Sequence, residues 1–532
     1  MADKLYFSRD SKLYVELTGI NGSFQGLWEI PVLDGFSFSQ ATNQTEIGLT
    51  EMESTAGVSR RGRRLFTDSL SPAEWSFSTY MRPTNHGSSK MHLVDQVLWA
   101  AMAGADNFGG SGVTPTGPTG TGDYTRSSNP VSGVGGVSGV VHDEAGATLP
   151  SGGTGGLLDF RNSNRATLPK MTLYFVFETD TTNPMVYKLT NAIVNECSID
   201  FDIDGIATAN WSGFAKEVTD MQTAGKVNVG TSAPSISQDL LFLDSGNDYR
   251  LSVPIDASNA SPAVHDEFRT AITTGVTSTN NFIRNRLTQL EVRGQNPDVL
   301  EGKRLTISAI STDTLTTGTT AHGLKVGDTV KISSVAGATN ASTYNATLFV
   351  VAVPSTTTLK VSATAGGSAI SVSGTYTANS GKLDTGIYNF TLTGGNITIS
   401  NNVTYLVPEE IGTINKPIEG VTGARGIGGS FTCYLVFDDA TGNTGASADF
   451  FADLVDPNKG LTKVVNDFDV TFKVGGTVAG EPRVHFNFPK VHIDVPTHSI
   501  EDVISLETNF GAYTEDFDTA DEFNIEVFGV SA

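Results

Sequence analysis

The chain has 532 residues, 38% hydrophobic and 17% charged, with 57 glycines and a net charge of -23 at pH 7. That is little charge and much glycine for a soluble enzyme, and it suits a turn-rich β protein of three or four units at about 150 residues each. The acidity opposes a groove that grips nucleic acid, because such a groove gains affinity by neutralising phosphates with basic side chains.

In chain order, residues 3–17 read as two strands joined by a turn, and residues 27–40 continue with strands around Asp34–Gly35. Residues 41–67 form a long polar loop or hairpin containing Arg60, Arg61, Arg63 and Arg64. The clearest strand follows at 73–82. Trp75, Phe77 and Thr79 alternate with Glu74, Ser76, Ser78 and Tyr80, the period of a half-buried strand. Met91, Val94, Val97, Leu98 and Ala101 then recur at helical spacing, predicting a helix over 90–103, capped by Ser88 or Ser89 and stopped by Gly104.

Residues 105–156 are too rich in Gly, Ser, Thr and Pro to bury much and read as a surface excursion. Strands resume at 171–178, 186–203 and 206–215, the last two around the Asp204–Gly205 turn signal. Residues 217–280 carry few signals and read as a linker.

From Asn281 the order repeats. Residues 281–294 echo the N-terminal strands, and 386–402 echo 27–40. A loop at 403–424 precedes a strand at 428–437, where Phe431, Cys433, Leu435 and Phe437 alternate. A short helix at 447–456 and strands at 466–474, 483–495 and 499–510 complete the second copy, with Pro496 to Ser499 as the last turn. Residues 301–380 interrupt it as a small Thr/Ser-rich β module. An inserted module has to leave and return at neighbouring points, so its place is an outer surface.

Chemical signatures are weak throughout. Asp200, Asp202 and Asp204 begin like a calcium loop, but Trp211 stands where the bidentate Glu belongs, and the aspartates read as a solvated strand face opposite Ile199, Phe201 and Ile203. His485, His492 and His498 lack zinc spacing, and His492 with Asp494 reads as one strand face opposite Val491, Ile493 and Val495. Residues 374–383 miss the phosphate-loop spacing. Cys197 and Cys433 read as buried thiols. No enzyme, cofactor or metal is expected. No apolar run is long enough to span a membrane, and the N-terminus has no apolar export segment.

In combination, EIPVLDGFSFSQATNQTEI, RRGRRLFTDSL and SPAEWSFSTYMRP in the first half, with NNVTYLVPEEI, GSFTCYL and EPRVHFNFPKVHIDVPTHSIEDVISLETNF in the second, resemble the major tail (tail tube) proteins of long-tailed, siphophage-type bacteriophages with a duplicated tube domain. The resemblance implies a mainly β fold of two tandem β-sandwich tube domains, each with a flanking α-helix. Residues 1–216 would form the first domain and 281–300 with 381–532 the second, with 217–280 as linker and 301–380 as the inserted exterior module. It further implies trimeric rings of pseudo-sixfold symmetry, stacked into a hollow tube in the virion tail after assembly in the host cytoplasm. Tape measure and tail terminator or tip proteins would be partners, and double-stranded DNA would pass through without specific binding.

Glu74, Asp200, Asp202, Asp494, Glu501 and Glu507 are then the expected acidic lumen residues, and Arg60, Arg61, Arg63 and Arg64 the expected ring-to-ring contacts. An exterior decoration or host-binding protein is the alternative, favoured by the Thr/Ser-rich module and the Gly-rich excursion.

Overall fold

The computed structural model describes residues 11–18, 24–33, 35–46, 65–85, 91–93, 95–103, 141–142, 156–159, 168–177, 185–220, 227–229, 241–243, 249–251, 282–294, 296–408, 415–437, 445–456, 467–478, 481–500, 503–514 and 522–528. Strands dominate, and one pairing pattern occurs twice.

In the first half, an outer sheet runs Phe24–Ile30, Ser11–Thr18, Lys170–Phe177, the start of Met185–Asp202, and Glu217–Asp220. An inner sheet runs Ser37–Ser39, Ala73–Tyr80, Thr208–Ala215, and the end of Met185–Asp202. The 18-residue strand serves both sheets because Asn191 turns to φ 50 and the register shifts between Val194 and Glu196. A bulge of this kind bends and twists a strand from one layer into the next.

The second half repeats the plan. Its outer sheet joins the start of Ile387–Ser400, Gln289–Gly294, Phe468–Val474, the start of Arg483–Ile493, and Asn524–Phe528. Its inner sheet joins 394–400, Gly426–Tyr434 and Ile504–Ala512, then an edge made of the end of Arg483–Ile493 and Thr497–Ile500. Here the bend is at Gly395, where φ is +152 and a Cβ would lie 2.5 Å from the Ser430 carbonyl oxygen.

Each helix plugs its own sandwich. Trp99 of Gln96–Ala103 meets Trp211 edge-on at 4.8 Å between ring centroids, and Phe450 of Ser447–Val455 packs among Tyr388, Phe390 and Phe468. The first helix is shorter than its periodicity predicts. Met91–Leu93 pairs as a strand with Pro83–Asn85, and Asp95 rather than a serine precedes the first turn, its carbonyl accepting from the Leu98 N–H at 2.9 Å. Local pairing there overrides the apolar period.

Other boundaries differ too. Thr497–Ile500 is a strand paired with Ile504–Ala512, so Pro496 to Ser499 is not the last turn. Ile203 and Val495 are exposed, because their strands end at Asp202 and Ile493. The stretch 217–280 holds strands Glu217–Asp220, Val227–Val229, Leu241–Leu243 and Tyr249–Leu251, the last three in a sheet of their own. Gly156–Asp159, at the end of the Gly-rich excursion, adds to the second half's outer sheet beside Asn524–Phe528.

The inserted stretch forms a separate seven-stranded sheet over its own core of Leu305, Ile307, Leu315, Val330, Tyr344 and Leu383. Its two ends adjoin: the Lys303 N–H donates to the Ile387 carbonyl and the Gly386 N–H to the Glu301 carbonyl, both at 2.9 Å. A buried charge network holds the module to the outer sheet. Arg293 reaches Glu291 through Nε at 2.7 Å, Asp328 at 2.5 Å and the Gly323 carbonyl at 2.6 Å, while Lys473 donates to Glu291 at 2.6 Å. Burial alone would raise the Glu291 carboxyl, but Arg293 and Lys473 hold it at about 2.

Candidate functional surface: one polar sheet face across both halves

The two inner sheets are a single sheet. Strand 194–202 of the first half pairs antiparallel with 394–400 of the second, Glu196 opposite Ser400, Ser198 opposite Thr398 and Asp200 opposite Asn396. Below this joint the core is shared: Phe201 stacks on Phe472, 5.6 Å between centroids and 12° between planes. Above it, Asn401 Nδ2 donates to the carbonyls of Met102 and Val194, each at 3.1 Å, and Asn195 Oδ1 accepts from the Val403 N–H at 2.8 Å.

Period-two alternation gives this sheet two unlike faces. Trp75, Phe77, Trp211, Cys197, Ile199, Ile397, Ile399, Phe431, Cys433, Leu506 and Phe510 are buried on the core side. Burial pushes the Cys433 thiol up to about 12 and the Cys197 thiol well above its usual value, so both stay protonated packing groups. The opposite face is small and polar. It carries Ser37, Ser39, Ser76, Ser78, Asn210, Ser212, Ser198, Asn396, Thr398, Ser430, Thr432, Asn509 and Ser505. Hydrogen bonds run across it, from Ser78 to Asn210 Oδ1 at 2.7 Å, from Asn210 to Asp200 at 3.0 Å, and from the Ser430 N–H to Asn396 at 2.8 Å.

Five of the acidic residues singled out from sequence come together here. Glu74, Asp200, Asp202, Asp494 and Glu507 are all exposed, and register puts them on this one face. Glu501 lies outside the described residues, as do Arg60, Arg61, Arg63 and Arg64. Glu196 joins the same face. Its pairing with Ser212 and Ser400 places it there, and it continues the alternation of Ser198, Asp200 and Asp202 against Cys197, Ile199 and Phe201, a signal that could have found it. Among the described strand residues of this face the basic side chains come down to Lys490, at the bend above His492 and 3.7 Å from Asp467. At the upper end Phe214 and Ile193 leave the polar pattern and are covered by Val403 and Tyr405.

The loops that open each inner sheet are hairpins at the same end. Thr42–Glu46 pairs with Leu65–Leu70, and Thr404–Leu406 with Glu419–Val421. They touch one another, the Leu70 N–H donating to the Asn415 carbonyl at 2.8 Å.

The other chemical candidates disperse. Asp204 sits in the turn after Asp202. His485 is buried 3.5 Å from Glu526, His492 is exposed, and His498 lies edge-on to Phe451. Leu383 is a core residue of the module. Among the described residues no group of three or more His, Cys, Asp or Glu side chains is arranged to hold a metal ion, and no helix is long and apolar enough to cross a membrane.

A β-sandwich repeated in tandem, with two inner sheets fused edge to edge, is an architecture for building an extended sheet wall. Among characterised proteins, the chain resembles a tail tube protein of a phage. It is similar to the tail tube protein pb6 of Escherichia phage T5, with 22% identity over 521 residues, 97% of this chain and 75% of that protein. No protein-family model matches the chain.

Proposed function

We propose that this chain assembles into trimeric rings of pseudo-sixfold symmetry, and that the rings stack into the hollow tail tube that conducts phage DNA to the host. The reading divides the chain into tube domains at 1–216 and at 281–300 with 381–532, a linker at 217–280, and a module at 301–380 on the tube exterior. One observation carries it: a single sheet spans both halves with a polar, carboxylate-bearing face whose described strand residues include no arginine and, at one end, a single lysine, Lys490.

Turned toward the axis, that face becomes the lumen. Glu74, Asp200, Asp202, Asp494, Glu501 and Glu507 give it negative charge, and Glu196 adds to it. Like charge repels phosphate and leaves counterions mobile, so a duplex slides without being held. Between the carboxylates the face is mostly serine, threonine, asparagine and glycine, and its aromatic side chains, Tyr80, Tyr434 and Tyr513, stand at strand ends.

The rings meet end to end through the paired hairpins. Arg60, Arg61, Arg63 and Arg64, beyond the strand Thr42–Glu46, reach acidic residues of the adjacent ring. The tape measure protein occupies the lumen before ejection and terminator or tip proteins close the ends. Ring and tube formation by the purified chain, seen by negative-stain microscopy, tests the reading: stacked rings with a central hole support it, and dispersed monomers oppose it. Charge reversal of Arg61 and Arg63 tests the stacking contact separately, because rings then form without stacking into tubes.

A further inference from the structure

The joint between the two halves leaves two sheet edges over. Among the described residues Ser37–Ser39 pairs only with Ala73–Tyr80, and the edge 491–500 pairs on its inner-sheet side only with Ile504–Ala512. These edges are the structural counterparts of the two strands that form the joint. Within the repeat, Tyr80 opposite Thr208 corresponds to Tyr434 opposite Ser505, and Ala73 opposite Ala215 to Ile427 opposite Ala512. Continuing outward, Ser37 takes the place of Asn396 and Ser39 that of Thr398, while Ser499 takes the place of Asp200 and Thr497 that of Ser198.

Burial shows that the second edge is incomplete. Phe201, on the core side of the joint strand, is 5% exposed because the second half covers it and Phe472 stacks on it. Its counterpart Ile500 is 78% exposed. Val503 and Ile504 beside it, and Val436 and Phe437 at the end of the neighbouring strand, are exposed as well. An apolar side chain on the core side of a sheet edge, left in water, marks a surface that something else completes.

We infer that this occupant is the first half of a second copy of the chain, docked in the register of the internal joint: Ser499 opposite the neighbour's Ser37, Thr497 opposite its Ser39, and Ile500 buried under its outer sheet as Phe201 is buried at the joint. The inference rests on the ring reading above and adds the register. The contact is heterologous, the left edge of one copy on the right edge of the next, so it repeats until the ring closes. The two halves differ at these positions. Asp200 and Asn396 meet within the chain, whereas two serines meet between chains. The joint between copies is therefore the less charged of the two.

Cysteine cross-linking tests the register in the full chain. Residues directly opposite in an antiparallel pair bring their Cβ atoms to about 4.5–5.5 Å, near enough for a disulfide to form with slight adjustment, and a pair two steps further along is out of reach. The double variant S37C/S499C should give reducible covalent multimers ending at the closed ring, while S499C with A41C, displaced along the strand, and each single variant should not. Cross-linking of the displaced pair in place of S37C/S499C overturns the register while leaving rings in micrographs intact. Absence of rings from the unmodified chain overturns the ring reading itself. As a second measurement, I500D should leave a folded monomer, with unchanged circular dichroism, that no longer closes rings in sedimentation. Rings from I500D at wild-type yield oppose burial of Ile500 between copies.

Discussion

Phe201 of the first half and Phe472 of the second lie parallel, 5.6 Å apart, directly beneath the strand pair that joins the halves. One hydrophobic core therefore runs through both halves, and neither inner sheet ends at the repeat boundary. Removing either ring opens a cavity at the joint. Phe201→Ala should cost about 3–5 kcal/mol, the usual range for a buried Phe, read as a lower denaturant midpoint. A cost near zero would mean that the halves do not share a core.

Asn401 is the polar counterpart of that contact. Its amide donates to Met102 at the end of the first helix and to Val194 at the strand bulge. Asn401→Ala strands two buried carbonyls, and the expected loss is about 1–3 kcal/mol. Asn401→Asp should be worse, because it puts an acceptor where both partners are acceptors. Equal stability of the two variants contradicts this geometry.

Asp95 gives the fold a pH dependence. It is buried, with Thr79 donating to it at 2.8 Å and Trp211 at 3.3 Å, and Arg82 is its nearby cation. Burial raises its carboxyl to about 6 against these hydrogen bonds. A raised acid binds its proton more tightly when folded. Its charge therefore destabilises the fold in full above pH 6, and the penalty fades as pH falls toward the unfolded value near 4. The penalty is about 3 kcal/mol. Asp95→Asn should remove this dependence and unfold at higher denaturant than wild type at pH 8. Identical pH profiles would rule the effect out.

The module is held by charge over a continuous sheet. Arg293→Met leaves Glu291 with Lys473 alone, and losing a partner of a buried pair costs about 3–5 kcal/mol. Limited proteolysis should then release the 301–380 region before the rest. Because Glu301 and Gly386 already adjoin, replacing the stretch between them by a short Gly/Ser link should leave the sheet intact, its outer face solvated. Loss of assembly in that deletion would make the module part of the wall and not an addition to it.

What could be read from the sequence was whatever depends on period and order. Alternation located Ala73–Tyr80 and put Glu74 opposite Trp75, and the repeated order of elements led to the two sandwiches. Three kinds of feature escaped. Glu196 was missed although it extends the face of Ser198, Asp200 and Asp202 by one more period-two step, past which the bulge at Asn195 sets in. The strand Thr497–Ile500 was hidden because Pro496 reads as a turn, yet the proline sits before the first paired residue, where a strand tolerates it. The fusion of the two inner sheets could not be read at all, since pairing between residues two hundred positions apart leaves no local pattern.

Charge on the polar face has its own test in ejection kinetics. If this face lines the DNA path as proposed, substituting Asp200 and Glu74 by lysine places cations on it, and ejection should slow, most at low salt, because phosphate contacts weaken as salt rises. Unchanged rates at low salt would separate the face from the DNA path.

The most direct measurement is a three-dimensional map of the assembled protein by cryo-electron microscopy. The expected result is a hollow tube of stacked rings, with Glu74, Asp200, Asp202, Asp494 and Glu507 on the inner wall and the 301–380 module outside. A map that puts this face on the outer surface, or a lumen of net positive charge, contradicts the account.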